Sequence, residues 1–330
     1  MQIDVHTISI KPACKAYDHM IRRFGDKPAS RYQEASYDLQ ATEIFHYKPT
    51  WDPEQELYDA SITKVVMEDW HDLKDPRQYY YSPYVLNRSR EQDTVTSTFK
   101  FVESRGLIDE LPDEIHDLVS KILLPLRHAA WGANLHNTFI CGYGYSVTFT
   151  QPCIYQAMDN LGIAQYLTNI GLMLGGTDLL DEAKQSWIED SAWQPLRRYV
   201  EDCLVVRDPF ELFIAQNVAL DGLLYPLIYK YIVDDYMAKK GGSTISMLTQ
   251  FMPTWFDETS KWINAVVKVA VKESEHNHDV IKAWLEQWVS RATAAILPIV
   301  EMAIGDKTDE VIDEYVNLLE SRLAKLGIKP

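Results

Sequence analysis

The sequence predicts an all-α fold with an extended N-terminal arm, on three observations. From about residue 51 onward, apolar residues recur at intervals of three and four, the spacing that puts them on one side of a helix. Glycine and proline are sparse, 14 and 15 among 330 residues, and fall where helices would start, bend or stop. Residues 1–50 lack that period and carry Tyr17, Phe24, Tyr32, Tyr37, Phe45 and Tyr47, with Trp51 following. That much aromatic area implies an arm that packs on something, its own body or a partner. The domain reading is an arm over 1–50 and a single helical domain over 51–330.

The helices follow in order. Thr50-Trp51-Asp52-Pro53-Glu54 reads as a cap, with proline and acids in the first turn, and predicts a helix through Leu57, Val65 and Trp70 to about Leu73. Asp75-Pro76 starts the next, bent at Pro83 and ended by Gly106. Pro112 opens a third, with Ile115, Leu118, Val119, Ile122 and Leu123 at helical spacing, kinked near Pro125 and complete by Phe139. Pro152 opens a broad apolar helix that stops at Gly175-Gly176. Short helices are expected at 178–190 and 195–206. Asp208-Pro209-Phe210-Glu211 then caps one that runs to Lys239-Lys240-Gly241-Gly242, bent at Pro226. Helices at 254–276, 278–304 and 309–326 complete the chain.

Composition excludes several function classes. With 32 Lys plus Arg against 48 Asp plus Glu, the net charge is -16, which repels nucleic acid and anionic membrane surfaces. The N-terminus has no basic segment followed by an apolar one, so a cytoplasmic location is expected. Lys268, Pro298 and Glu301 break the most apolar windows, and no membrane span is expected. Cys14, Cys141, Cys153 and Cys203 stand far apart and read as reduced core thiols.

Long packed helices can hold a carboxylate-bridged di-iron site, which needs two Glu-x-x-His pairs and two further glutamates on facing helices. Two such pairs occur, Glu68 with His71 and Glu273 with His276. Both sit where helices end, which favours surface or capping roles; a self-sufficient di-iron protein using these four residues is the alternative reading. His116, His128 and His136 fall on different faces, and Gly142-x-Gly144 lacks the third glycine of a dinucleotide loop. The densest unusual feature is Tyr79-Tyr80-Tyr81-Ser82-Pro83-Tyr84, flanked by Arg77, Arg88 and Arg90. Tyrosine and arginine are enriched at interface centres, so Tyr79, Tyr80, Tyr81, Tyr84 and Arg88 are the candidate partner-binding residues. The alternative is that consecutive tyrosines spread around a helix, some core and some exposed.

The stretch Lys74-Asp75-Pro76-Arg77-Gln78-Tyr79-Tyr80-Tyr81-Ser82-Pro83-Tyr84 resembles a segment of the beta subunits of bacterial multicomponent monooxygenases. So do Trp193-Gln194-Pro195-Leu196-Arg197-Arg198-Tyr199-Val200-Glu201, Asp208-Pro209-Phe210-Glu211 and Ala215-Gln216-Asn217. The resemblance spans essentially the whole chain and is nearest the phenol hydroxylase branch; toluene, alkene and methane monooxygenases are the alternatives. It implies a ferritin-like helical bundle and a hydroxylase of two alpha, two beta and two gamma chains. It also implies a di-iron centre in the alpha partner, an NAD(P)H reductase, a small regulatory protein, and hydroxylation of phenol or related aromatics with O2.

Placed against the ligand helices of the alpha subunit, the 152–174 helix puts Asp159 at a ligand position with Gly162 three residues on. The 209–238 helix puts Asp221 there, followed by Leu224. Neither helix contains a histidine. The expectation is a non-catalytic relative with no catalytic, cofactor or metal residues of its own. An unrelated helical scaffold is the remaining alternative.

Overall fold

A computed structural model describes residues 18–25, 29–39, 53, 54, 56 and 58–328. Helices α1 (Asp18–Phe24) and α2 (Arg31–Glu34) come first, the second closed by a capping box between Ser30 and Gln33. Met20, Tyr32 and Tyr37 form a small buried cluster with Phe24 and Tyr80 packed against it. Arg23 bonds Asp38 and Asp69, and the Asp75 amide donates to the Tyr32 hydroxyl at 2.9 Å. The described part of the arm therefore lies on its own body. Tyr17, Phe45, Tyr47, Trp51 and Cys14 lie outside the described residues.

The helix expected over 51–73 is not there. Residues 60–62 and 70–72 form single 3₁₀ turns, led by Asp59 and Asp69, each of which accepts from the amide two residues on. Between the turns Thr63, Val65 and Met67 are buried while Lys64, Val66 and Glu68 are exposed. That is the period of an extended chain, and its backbone is satisfied by a side chain. The Val66 amide donates to Asn277 Oδ1 at 2.9 Å, and Asn277 Nδ2 donates to the Val66 carbonyl at 2.7 Å.

Helix α3 (Tyr81–Ser104) starts later than Asp75-Pro76 predicts, because Asp75 is spent on a turn. Pro83 falls in its first turn, where no amide bond is missed, so it opens the helix instead of bending it. Gly106, at φ +63°, follows its C-terminus as expected. Next come α4 (Asp113–Leu118), a wide π-type turn at Val119–Leu123, and α5 (Leu126–Tyr143) beyond the predicted break at Pro125. Helix α6 (Val147–Glu189) opens five residues before Pro152, and the buried Phe149 holds that first turn between Phe210 and Phe213, each 5.3 Å away. Gly176, at φ +72°, breaks α6 where a stop was expected.

Helix α7 (Gln194–Cys203) leads into a rod over residues 209–249. The rod holds α8 (Pro209–Phe213), π-type turns at Ile214–Leu220, α9 (Asp221–Leu224), further π-type turns from Tyr225 to Gly242, and α10 (Ser243–Thr249). The wider turns resume beside Pro226, which lacks an amide to bond four residues back. Gly241, at φ +96°, kinks the rod without ending it, and the chain continues as α10. Helices α11 (Phe251–Glu273), α12 (Glu275–Ile304) and α13 (Thr308–Ala324) match the three expected last.

Antiparallel α5 and α6, the rod and α11 surround the core, with α7 and α12 packed outside. Contrary to the sequence expectation, the rod contains a window apolar and long enough to cross a membrane, as does residues 275–324. In the rod, 94% of that window is buried inside the bundle, so its hydrophobicity is that of a central helix.

Close approach of α5 to α7 depends on Gly132, where a Cβ would lie 2.3 Å from Val200 Cγ1. Gly132→Ala is expected to cost about 1–3 kcal/mol through overpacking, read as a lower urea midpoint with unchanged m-value.

Candidate functional site

The interior of the bundle is where a ferritin-like fold would place a metal, and here it is filled by a chain of ion pairs. Arg88, on α3, reaches Asp159 of α6 through two hydrogen bonds of 2.8 Å, Nε to Oδ1 and Nη2 to Oδ2. The same guanidinium donates to Glu258 of α11 at 2.9 and 3.1 Å and to Glu91 at 2.7 Å. Arg77 extends the chain, with Asp75 on one side at 3.0 Å and Glu258 on the other at 3.3 Å. Asp75, Arg77, Glu258, Arg88 and Asp159 thus tie the 75–80 segment, α3, α6 and α11 together. All five side chains are at most 20% exposed.

Asp159 has no free oxygen facing the interior. Oδ1 accepts from the Tyr84 hydroxyl at 2.9 Å and Oδ2 from Trp255 Nε1 at 2.9 Å, besides Arg88. Burial alone would lower the Arg88 pKa, but the charge and hydrogen bond of Asp159, followed by Glu258, hold it above the usual arginine range. Burial raises the Glu258 carboxyl, and Arg88 outweighs it and holds that group below the ordinary value. Tyr84, stacked on Tyr155 at 4.2 Å, is pushed up by burial and by Asp159.

A second polar layer joins α5 to the rod. Asn137 and Asn217 exchange two side-chain hydrogen bonds of 3.1 and 2.9 Å. His136 presents Nδ1 to Gln216 Oε1 at 2.7 Å and Nε2 to the Val200 carbonyl at 3.0 Å, and Gln216 Nε2 faces Asp221 Oδ1 at 2.8 Å. Burial lowers the His136 pKa and keeps the ring neutral, with one N–H for two oxygen neighbours. The conflict disappears when the Gln216 amide is turned over, a change of orientation and not of shape. Its nitrogen then donates to Nδ1, and its oxygen requires a proton from Asp221. Burial pushes the Asp221 carboxyl up to about 7, so the proton is available at neutral pH.

The candidate interface residues divide. Tyr84 and Arg88 are internal, as described. Tyr79 lies beneath Arg77, 4.8 Å from its centroid, and accepts from Asn87 Nδ2 at 2.7 Å. Tyr80 packs on the arm cluster, and Tyr81 is 71% exposed. The two Glu-x-x-His pairs meet at one seam without forming a cluster. The Glu68 amide donates to Glu273 Oε1 at 2.6 Å, His276 Nε2 lies 2.9 Å from the Lys64 carbonyl, and His71 stacks on Tyr37 of the arm. His136 is a hydrogen-bonded core histidine. Cys153 and Cys203 are buried thiols whose pKa burial raises. Sequence reasoning missed Glu258, although it stands on the buried stripe of α11 between Trp255 and Trp262, where an acid requires a partner.

Residues 50–274 match the family model described as Methane/Phenol/Alkene Hydroxylase. Over its whole length the chain is 47% identical to the phenol 2-monooxygenase oxygenase component DmpL of Pseudomonas sp. strain CF600, with 99% of that protein covered. The chain belongs to this hydroxylase family. Its fold superposes on the crystal structure of xenon-pressurized phenol hydroxylase from Pseudomonas sp. OX1 with a TM-score of 0.92 and 42% identity, covering 99% of each chain. The beta subunit of the toluene-4-monooxygenase hydroxylase component of Ectopseudomonas mendocina is 23% identical over 72% of this chain and 74% of that one. The architecture is the all-α, ferritin-like one that the resemblance implied.

A di-iron centre does not fit these residues. Asp159 and Glu258 are saturated by cationic and neutral donors, and an arginine stands between them where a metal would need their lone pairs. The α6, rod and α11 helices carry no imidazole at all. Among the described residues no three His, Cys, Asp or Glu side chains converge as a metal cluster.

Arg88→Met would strand two buried carboxylates and is expected to cost about 3–5 kcal/mol at pH 7. The loss should shrink at pH 5, where carboxylates freed of the cation take up protons; urea titrations at both values test this. Asp221 gives a second pH effect. A carboxyl whose pKa is about 7 in the fold and 3.8 when free keeps its proton in the native state. Native stability must therefore fall as pH rises from about 4 to about 7 and level off above. In Asp221→Asn the amide donates in place of the acid proton, and that part of the pH dependence is expected to vanish from thermal melts.

Proposed function

We propose that this chain is the non-catalytic β-type subunit of a phenol hydroxylase, the component that hydroxylates phenol and related aromatics with O2 and electrons from NAD(P)H. The carrying observation is Arg88, which occupies the carboxylates that a metal would require. Whole-length identity of 47% to a phenol 2-monooxygenase component, against 23% to the toluene-4-monooxygenase beta subunit, supports the phenol branch. In this reading the chain is one helical domain over 51–330 behind an arm over 1–50. It works in the cytoplasm within an assembly of two alpha, two beta and two gamma chains.

The di-iron centre belongs to the alpha partner, and the reductase and the regulatory protein bind transiently. What this chain supplies is a rigid body that supports the alpha chain. Of the tyrosine cluster, Tyr81 is the member available for a partner contact, with Tyr79 and Tyr80 beside it and Tyr84 and Arg88 as its buried support.

Native mass spectrometry of the complex, purified through a tag on this chain, tests the reading. The expected result is a six-chain particle whose iron leaves with the larger partner on dissociation. Stoichiometric iron retained by the isolated chain would overturn it.

A further inference from the structure

Asp159 of α6 and Asp221 of the rod are both buried acids, and their surroundings differ. Asp159 has both oxygens bonded within the chain, whereas Asp221 is bonded through Oδ1. Its Oδ2 is buried without a hydrogen-bond partner among the described residues. Gln156, on α6, accepts from Thr259 through Oε1 at 2.6 Å, and its Nε2 is likewise buried without a partner. Both side chains are enclosed, Asp221 at 3% and Gln156 at 1% exposure. The Gln156 amide lies close enough to the Asp221 carboxyl to favour its charged form, so the two orphaned atoms share one locality. Asn160, one turn along α6 from Gln156, adds a weakly held acceptor, its Oδ1 reached by the Tyr225 hydroxyl at a long 3.4 Å.

These groups border a closed cavity between α5, α6 and the rod. Asn160, Gln216, Asp221, Tyr225 and Tyr229 are its polar lining, and no lining residue is more than 7% exposed. Room is left by α5, which presents the small side chains of Ala129, Ala130 and Ala133. The centre of a water-sized sphere has about 20 Å³ to move in, and about 10–15 Å³ admits one water. An aromatic ring is far too large.

The orphans also set the chemistry of what fits. Asp221 Oδ2 needs a donor, and Gln156 Nε2 needs an acceptor. A metal cation offers no acceptor to the amide, and a halide offers no donor to the carboxyl, so neither satisfies the pair. Arg322 opposes a cation further, because its charge reaches Asp221 from α13 while its Nε donates to Asn264 at 2.7 Å.

We infer that this cavity is a binding site for a single buried water molecule, which donates to Asp221 Oδ2 and Asn160 Oδ1 and accepts from Gln156 Nε2. Three partners is the usual number for such a water. Solvent thereby gives Asp221 what Arg88 gives Asp159.

The test is a crystal structure of the full chain, at a resolution that shows ordered solvent, for wild type, Asp221→Asn and Asp221→Leu. Relaxation dispersion of solvent water counts long-lived internal molecules on the same proteins in solution. Wild type and Asp221→Asn, which keeps an oxygen where Oδ2 stands, are expected to show one solvent peak within hydrogen-bond reach of Gln156, Asn160 and position 221. Asp221→Leu is expected to lose that peak and one long-lived water per chain. A direct bond between Gln156 and Asp221 with no peak in the wild type would overturn the inference, as would a peak that persists unmoved in Asp221→Leu. A peak with octahedral oxygen coordination would overturn the choice of occupant. The wild-type peak decides the question even where Asp221→Leu does not fold.

Discussion

Through the guanidinium of Arg88, three helices of the bundle, α3, α6 and α11, are joined in its interior. Three carboxylates, Asp159, Glu258 and Glu91, turn toward it from α6, α11 and α3 itself. Without the guanidinium, Asp159 and Glu258 would be buried anions in an apolar bundle, an arrangement whose desolvation cost exceeds what the surrounding packing contributes per residue. With it, each gains a charge-assisted bond, and the helices that carry them are fixed in mutual register. The fork geometry matters as much as the charge, since a bidentate grip on Asp159 leaves Nη1 and the second edge of Nη2 for the glutamates. Lysine could supply the charge but not the planar fork.

That anchor accounts for the position of the strap at 75–80. Arg77 has the same logic on a smaller scale, one side on Asp75 and the other on Glu258, with Trp262 5.3 Å away. Asp75 in turn receives the arm, because its backbone amide bonds Tyr32. An interaction deep in the bundle is thereby connected, pair by pair, to the N-terminal segment on the surface. The polar layer at His136, Gln216 and Asp221 is separate from the Arg88 tie and joins α5 to the rod instead.

Much of this was legible in the sequence, and the failures have identifiable causes. Long helices were readable because their apolar stripes are long. The strap at 63–67 was misread because a period of two over so few residues resembles a helical pattern when Trp70 and Leu73 follow at spacings of three. Pro83 and Pro152 were misplaced by a few residues because proline marks a first turn as readily as a bend. Asp159 and Asp221 were found as the acids on the correct helices, yet the ion pair of Asp159 was not, since Arg88 lies 71 positions away and only the fold brings the two together. The tyrosine cluster looked uniform in sequence and is divided in space, because neighbours at the start of a helix point in different directions.

The choice of arginine also bears on how such a chain meets its partners. A bundle held by a metal folds fully only when the metal is bound, and its stability then tracks metal supply and pH through the ligands. Arginine never loses its proton in the working range, so the tie through Arg88 is present as soon as the chain folds. In the proposed role this separates two tasks. The body of this subunit becomes rigid on its own, and any dependence on iron is confined to the chain that carries it. Rigidity in turn lowers the entropy that must be given up on assembly, since α6 is already held to α3 and α11 through Asp159 and Arg88 before any partner arrives.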